Sequence, residues 1–139
     1  MQQLGELFGR VVSLRRSGAV DEASKLLKDG AVVLFGPMWD SLGRRESSGA
    51  AIVLGTREKV SAYAMFVQHQ ATLDELRGEV WKARDGFRRA LELHLESARL
   101  GGDVDAATRA AIRTLKPRVD LDRLSRPYRT QLERIVGPT

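Results

Sequence analysis

Gly78-Glu79-Val80-Trp81-Lys82-Ala83-Arg84-Asp85-Gly86-Phe87-Arg88-Arg89-Ala90-Leu91-Glu92-Leu93 places a turn glycine first, a small residue five positions on, an aromatic at nine and Ala-Leu-x-Leu at twelve to fifteen. Two antiparallel helices that pack closely need this spacing. The glycine lets the chain reverse, the alanines let backbones approach, and the aromatic fills the gap between them. Upstream, Thr56-Arg57-Glu58-Lys59 reads as a helix cap leading into Val60, Tyr63, Ala64, Val67, Ala71 and Leu73, an apolar stripe that runs to Leu76-Arg77. Downstream, Val80, Ala83, Phe87, Ala90, Leu91, His94 and Ala98 form one face of a second helix, which Gly101-Gly102 ends. Trp81, Leu93, Leu95 and Leu100 widen that face beyond what one neighbouring helix covers. The helix is therefore either sandwiched between elements or presents an apolar strip to another chain.

The opening of the chain repeats the pattern. Leu4, Leu7, Phe8, Val11 and Leu14 recur at three-and-four spacing, Ser17-Gly18-Ala19 interrupts them, and Asp21-Glu22 supplies carboxylates to the start of the next helix. Aligned on Gly18 and Gly78, Ala23 matches Ala83, Leu27 matches Phe87, and Gly30-Ala31 matches Ala90-Leu91. The chain reads as two diverged copies of one helical hairpin.

This hairpin resembles the second half of a tetratricopeptide repeat. The resemblance implies an interaction scaffold, a fold with no built-in chemistry that works by presenting a surface. The copies depart from the family in two ways. Tandem repeats of that kind recur about every 34 residues, whereas these glycines stand 60 positions apart, so a regular superhelix is not implied. The first copy also lacks the early bulky aromatic, with Leu7 and Val11 at the packing positions. The extra length contains residues 36–49, rich in Gly, Pro, Ser and charge, which predict a loop with a helical turn around Trp39. Residues 31–35 and 50–54 also fit short buried strands. The hairpin alignment places the first run in helix and leaves the second between a helical turn and an extended segment.

After Gly101-Gly102, Asp103 or Asp105 caps a helix through Leu115 that Pro117 ends, and Ser125-Arg126-Pro127 starts another with Tyr128, Leu132, Ile135 and Val136 on its apolar stripe. The expected fold is all-α. It comprises a hairpin over 2–36, an insertion over 37–55, a second hairpin over 56–101, and helices over 103–137 that cap the stack in a single domain.

Composition narrows the function. The 139 residues are 42% hydrophobic, enough for one core, and contain no cysteine, which removes thiol nucleophiles, disulfides and cysteine–zinc sites. The N-terminus lacks the basic start and apolar run of a signal peptide, and no stretch approaches a membrane span, so the expectation is a cytoplasmic protein. Net charge is +5, and most of the excess falls after residue 103, where eight basic side chains face four acidic ones. That density suits an acidic partner better than nucleic acid, for which aromatic interleaving is also missing.

Candidates for chemistry are few. His69 and His94 have no ligand partners at metal spacing and read as structural. Residues 43–49 place five residues between glycines where a phosphate loop has four, and Ala50-Ala51 replace its lysine and hydroxyl. No catalytic assembly, metal site or cofactor site is expected. Arg109, Arg113 and Lys116 fall at i, i+4 and i+7 and can line one stripe, which suits either carboxylates or an ordinary solvated face. Of Arg88 and Arg89, with Lys82, only one of the adjacent pair can join such a surface. The expected function is a non-enzymatic protein- or peptide-binding adaptor, allowing a homodimer. It would use Trp81, Leu93, Leu95 and Leu100 with Trp39 as a possible addition, or the Arg109–Arg113–Lys116 stripe. The alternative is a nucleic-acid or phosphate-binding module built on the basic C-terminal helices.

Overall fold

The computed structural model describes residues 2–137, with side chains from Leu4 onward. Those residues form eight α-helices and no strand: α1 Gln2–Arg16, α2 Val20–Phe35, α3 Met38–Gly43, α4 Ser47–Leu54, α5 Arg57–Leu76, α6 Val80–Leu100, α7 Ala106–Leu115 and α8 Arg126–Val136. Two short 3-10 turns, Lys116–Arg118 and Leu121–Arg123, link α7 to α8.

The two glycine turns are the same local structure. Gly18 and Gly78 take φ values of 87° and 80°, the left-handed region where glycine carries no side-chain penalty. The residues after them match as well: Ala19 has φ −84° and ψ 61°, Glu79 has φ −82° and ψ 70°. The amide of Ala19 donates to the Leu14 carbonyl at 2.8 Å, and that of Glu79 to the Asp74 carbonyl at 2.9 Å. Each glycine amide donates three residues back, Gly18 to Arg15 and Gly78 to Glu75. These bonds satisfy carbonyls that a helix end would otherwise leave open. Arg77 of the second turn reaches Asp21 at the start of α2 at 2.6 Å, which puts both turns at one end of the molecule.

Burial follows the hairpin alignment. Ala23, Leu27 and Ala31 on α2, and Ala83, Phe87, Ala90 and Leu91 on α6, are all buried. Val80 is not: in the first turn of α6 it lies beyond its neighbours and is exposed, contrary to its place in the predicted stripe. The most extensive helix contact is between α5 and α6. The two helices approach closely at Gly86, where an added Cβ would lie 2.8 Å from the Cβ of Ala71, so glycine fits there without separating the helices.

The insertion is more ordered than the sequence suggests. It forms α3 and α4, which joins residues 50–54 to a helix, and residues 31–35 form the last turn of α2. Trp39 on α3 is half-buried and packs against an aromatic cluster of Phe35, Tyr63 and Phe66, its ring centroid 5.6 Å from that of Tyr63, which ties the insertion to the core. Arg89 fixes α3 from α6. Its guanidinium donates to the carbonyls of Arg45 and Leu42 at 2.6 and 2.7 Å, at the C-terminal end of that short helix. Helix α4 buries Ala50, Ala51 and Leu54, and Ser47 donates to Glu92 of α6 at 2.7 Å.

Two apolar clusters result. One gathers α1 to α5, and the other packs α6 against Ile112, Leu115, Val119, Leu124 and Leu132, with Val67 touching both. The predicted caps are present: Thr56 accepts from the Lys59 amide and Asp105 from the Thr108 amide, at 3.2 and 2.7 Å. Tyr128 donates to the largely buried carboxylate of Glu96 at 2.6 Å, and Gln131 to the Leu95 carbonyl at 2.6 Å, which fasten α8 to α6. Burial, and then the Glu96 bond and charge, raise the Tyr128 pKa above its ordinary value.

Candidate functional site

Trp81, Arg84, Asp85 and Arg88 fall at i, i+3, i+4 and i+7 and so share one stripe of α6, opposite the buried Ala83–Phe87–Ala90 face. The 3-10 linker after α7 runs alongside. Val119 and Leu124 pin it to the second core, and Asp120 accepts from the Asp122 amide at 3.1 Å to form its second turn. Between the stripe and the linker lies a cleft of about 690 Å³, lined by Trp81, Arg84, Asp85, Arg88 and, from the linker, Pro117 to Asp120 with Arg123.

The cleft is rich in donors. Its lining holds four arginines and two aspartates, a net charge of +2. Arg118 lies 5.1 Å above the Phe87 ring and pairs with Glu75 at 2.8 Å, joining the linker to the end of α5. Arg88 pairs with Asp85 one turn away, and Arg123 with Asp120 at 3.8 Å. Arg84 has no carboxylate partner among the described residues, and its guanidinium lies 5.3 Å from the Trp81 ring centroid. Trp81 is 70% exposed; Leu76 and Val80, which flank the interhelical turn, are exposed as well. Guanidinium forks next to an aromatic face can bind anions carried on a partly apolar ligand.

The other predicted site residues separate into three groups. Leu93 and Leu95 are fully buried in the two cores and cannot reach a partner, because α4, α5, α7 and α8 surround α6 and take up its extra apolar width. Leu100 is exposed but lies nineteen residues from Trp81, about 28 Å along the helix, and does not share a patch with it. The basic stripe is divided: Arg109 donates to the Ile135 carbonyl at 2.7 Å and fastens α7 to α8, Arg113 is exposed, and Lys116 is half-buried at the start of the linker. Of the adjacent pair on α6, Arg88 lines the cleft while Arg89 secures α3.

A second groove, of about 510 Å³, lies at the far end of α6 between Arg99, Val104, Tyr128 and Arg134. Three of its polar side chains serve the fold, since Arg99 and Tyr128 both contact Glu96 and Gln131 donates to the Leu95 carbonyl. Neither histidine lines either opening. His69 stacks on Phe8 at 4.7 Å, and burial, helped by the Arg15 charge, lowers its pKa to about 4. His94 contacts the Gln68 amide oxygen at 3.1 Å through Nε2, and Nδ1 is buried with no partner. Burial lowers its pKa to about 4 against an opposing pull from Asp105. Among the described residues no group of three or more His, Asp or Glu side chains converges as a metal site, and no helix is long and apolar enough to cross a membrane.

The linker arginines escape a reading of the sequence because Arg118 and Arg123 stand some thirty residues from Arg84 and Arg88. Only the return of the chain after α7 brings them together. The Trp81–Arg84–Asp85–Arg88 periodicity is the one signal that points there. No protein-family model, no curated protein and no solved structure matches the chain.

Proposed function

We propose that the chain is a non-enzymatic protein-binding module, tetratricopeptide-like in its hairpins, that works in the cytoplasm and captures an acidic segment of a partner protein in the arginine-lined cleft. The observation that carries this reading is the exposed Trp81 beside Arg84, which has no carboxylate partner among the described residues, at the edge of that cleft. Exposed tryptophan and arginine are the residues that most often dominate binding energy at interfaces. The net positive lining favours carboxylates by charge complementarity. Support for the scaffold itself comes from the repeated turn geometry at Gly18 and Gly78 and the paired burial behind it.

The test uses a fluorescein-labelled synthetic peptide of alternating Glu and Leu, read by fluorescence anisotropy. Wild type is expected to bind it with an affinity that falls as salt rises. Trp81→Ser should remain folded, its stability within about 0.5 kcal/mol of wild type as for other surface substitutions, yet bind about tenfold more weakly. Arg84→Glu should lose more than that. Binding that is absent in wild type, or unchanged in both variants, would overturn the reading.

A further inference from the structure

We infer that the cleft is selective for a phosphate monoester on a side chain of the partner, held first by Arg84 and then by Arg88. The inference rests on the docking reading above and specifies the state of the partner that docks.

Among the described residues, three of the four cleft arginines already have a carboxylate partner and Arg84 has none. A single ligand carboxylate brings one charge and two oxygens, so it satisfies Arg84 and little else. A phosphate monoester brings nearly two charges and three acceptor oxygens. It can engage Arg84 and also draw a second guanidinium from a local pair. The Arg88–Asp85 and Arg123–Asp120 pairs suit such an exchange: each joins exposed or half-exposed side chains three residues apart, and such pairs contribute little to stability. Arg118 is held more firmly, by Glu75 and the Phe87 ring, and stays as the back wall. Planar guanidinium forks match phosphate oxygens two at a time, which lysines in the same places would not.

The charge balance sets the number of phosphates. Net +2 in the lining falls to +1 once Glu75 on Arg118 is counted, which limits the cleft to one phosphate group. Glu75 and Asp122 adjoin the same surface and would repel the repeating phosphates of a nucleic-acid strand, which needs a continuous basic track. The exposed Trp81 at the cleft edge supplies apolar cover for a residue flanking the modified side chain.

The experiment compares four versions of the Glu-Leu peptide whose central residue is Ser, Glu, phosphoserine or phosphotyrosine, alongside a single-stranded oligonucleotide of similar length. One of the phosphorylated peptides is expected to bind at least tenfold more tightly than the Ser peptide and at least fivefold more tightly than the Glu peptide at pH 7.5. The gain should shrink as pH falls below about 6, where the phosphate loses its second charge. Arg84→Gln should abolish the phosphate gain, and Arg84→Lys should restore only part of it. If the Ser, Glu and phosphorylated peptides bind equally, the phosphate inference fails and the docking reading stands. If no peptide binds, both fail. If the oligonucleotide binds more tightly than every peptide, nucleic acid replaces a phosphorylated protein as the occupant.

Discussion

Replacing Phe87 with alanine is expected to destabilise the chain by about 3–5 kcal/mol, the usual cost of emptying a buried aromatic site. Phe87 is 3% exposed, packs among Leu91, Leu95, Ile112 and Leu115, and supports the Arg118 guanidinium on its ring. The substitution therefore opens a cavity where α6 meets α7 and removes the floor beneath one wall of the cleft. Small domains have only about 5–15 kcal/mol in hand, so the variant should melt far below wild type or fail to fold. Urea unfolding followed by circular dichroism gives the number. Phe87→Leu, which keeps an apolar side chain there, should lose much less. A loss below about 1 kcal/mol for Phe87→Ala would mean that the α6–α7 contact is not the centre of the second core.

Acidification is the second large effect. An unfolded histidine takes up a proton near pH 6.5, whereas His94 and His69 in the folded chain do so only near pH 4. Between those values the unfolded chain holds more protons, so stability is full above about pH 6.5 and declines as pH falls towards 4. Each histidine contributes about 3 kcal/mol to that decline. His94 is the firmer case, since it is 2% exposed and its Nδ1 has nothing to donate to if it is protonated. Stability measured by urea unfolding at pH 7.5, 5.5 and 4.5 should fall steadily, and His94→Gln should flatten the slope by about one proton. A flat profile from pH 7 to 4.5 would contradict the burial of both rings.

Much of this fold could be read from local chemistry. The α5–α6 hairpin, its copy at Gly18, the caps at Thr56 and Asp105 and the starts and stops at Pro117 and Pro127 rest on rules that act within one turn of helix. The insertion did not yield to such rules. Its glycines and serines argue for a loop, but Trp39 has an aromatic cluster to enter and Arg89 supplies donors for the end of α3. Both are long-range contacts that override a weak local preference.

The apolar width of α6 shows the same limit. Periodicity counts Leu93 and Leu95 as surplus, yet the neighbouring helices cover them. Trp81, in the first two residues of α6, lies outside that cover. The cleft was the least legible feature, since half of its arginines come from a linker whose path depends on Val119 and Leu124 finding the second core.

The central claim is that the cleft is the docking surface, and amide shift mapping tests it most directly. The isotope-labelled chain is titrated with the Glu-Leu peptide and its backbone amide resonances are followed residue by residue. The account predicts that shifts concentrate in residues 81–88 and 118–123, with the Trp81 indole N–H among the largest. Shifts gathered instead around residues 98–104 and 128–135, or around Val33 of α2 and Ile52 of α4, whose side chains are also exposed, would contradict it.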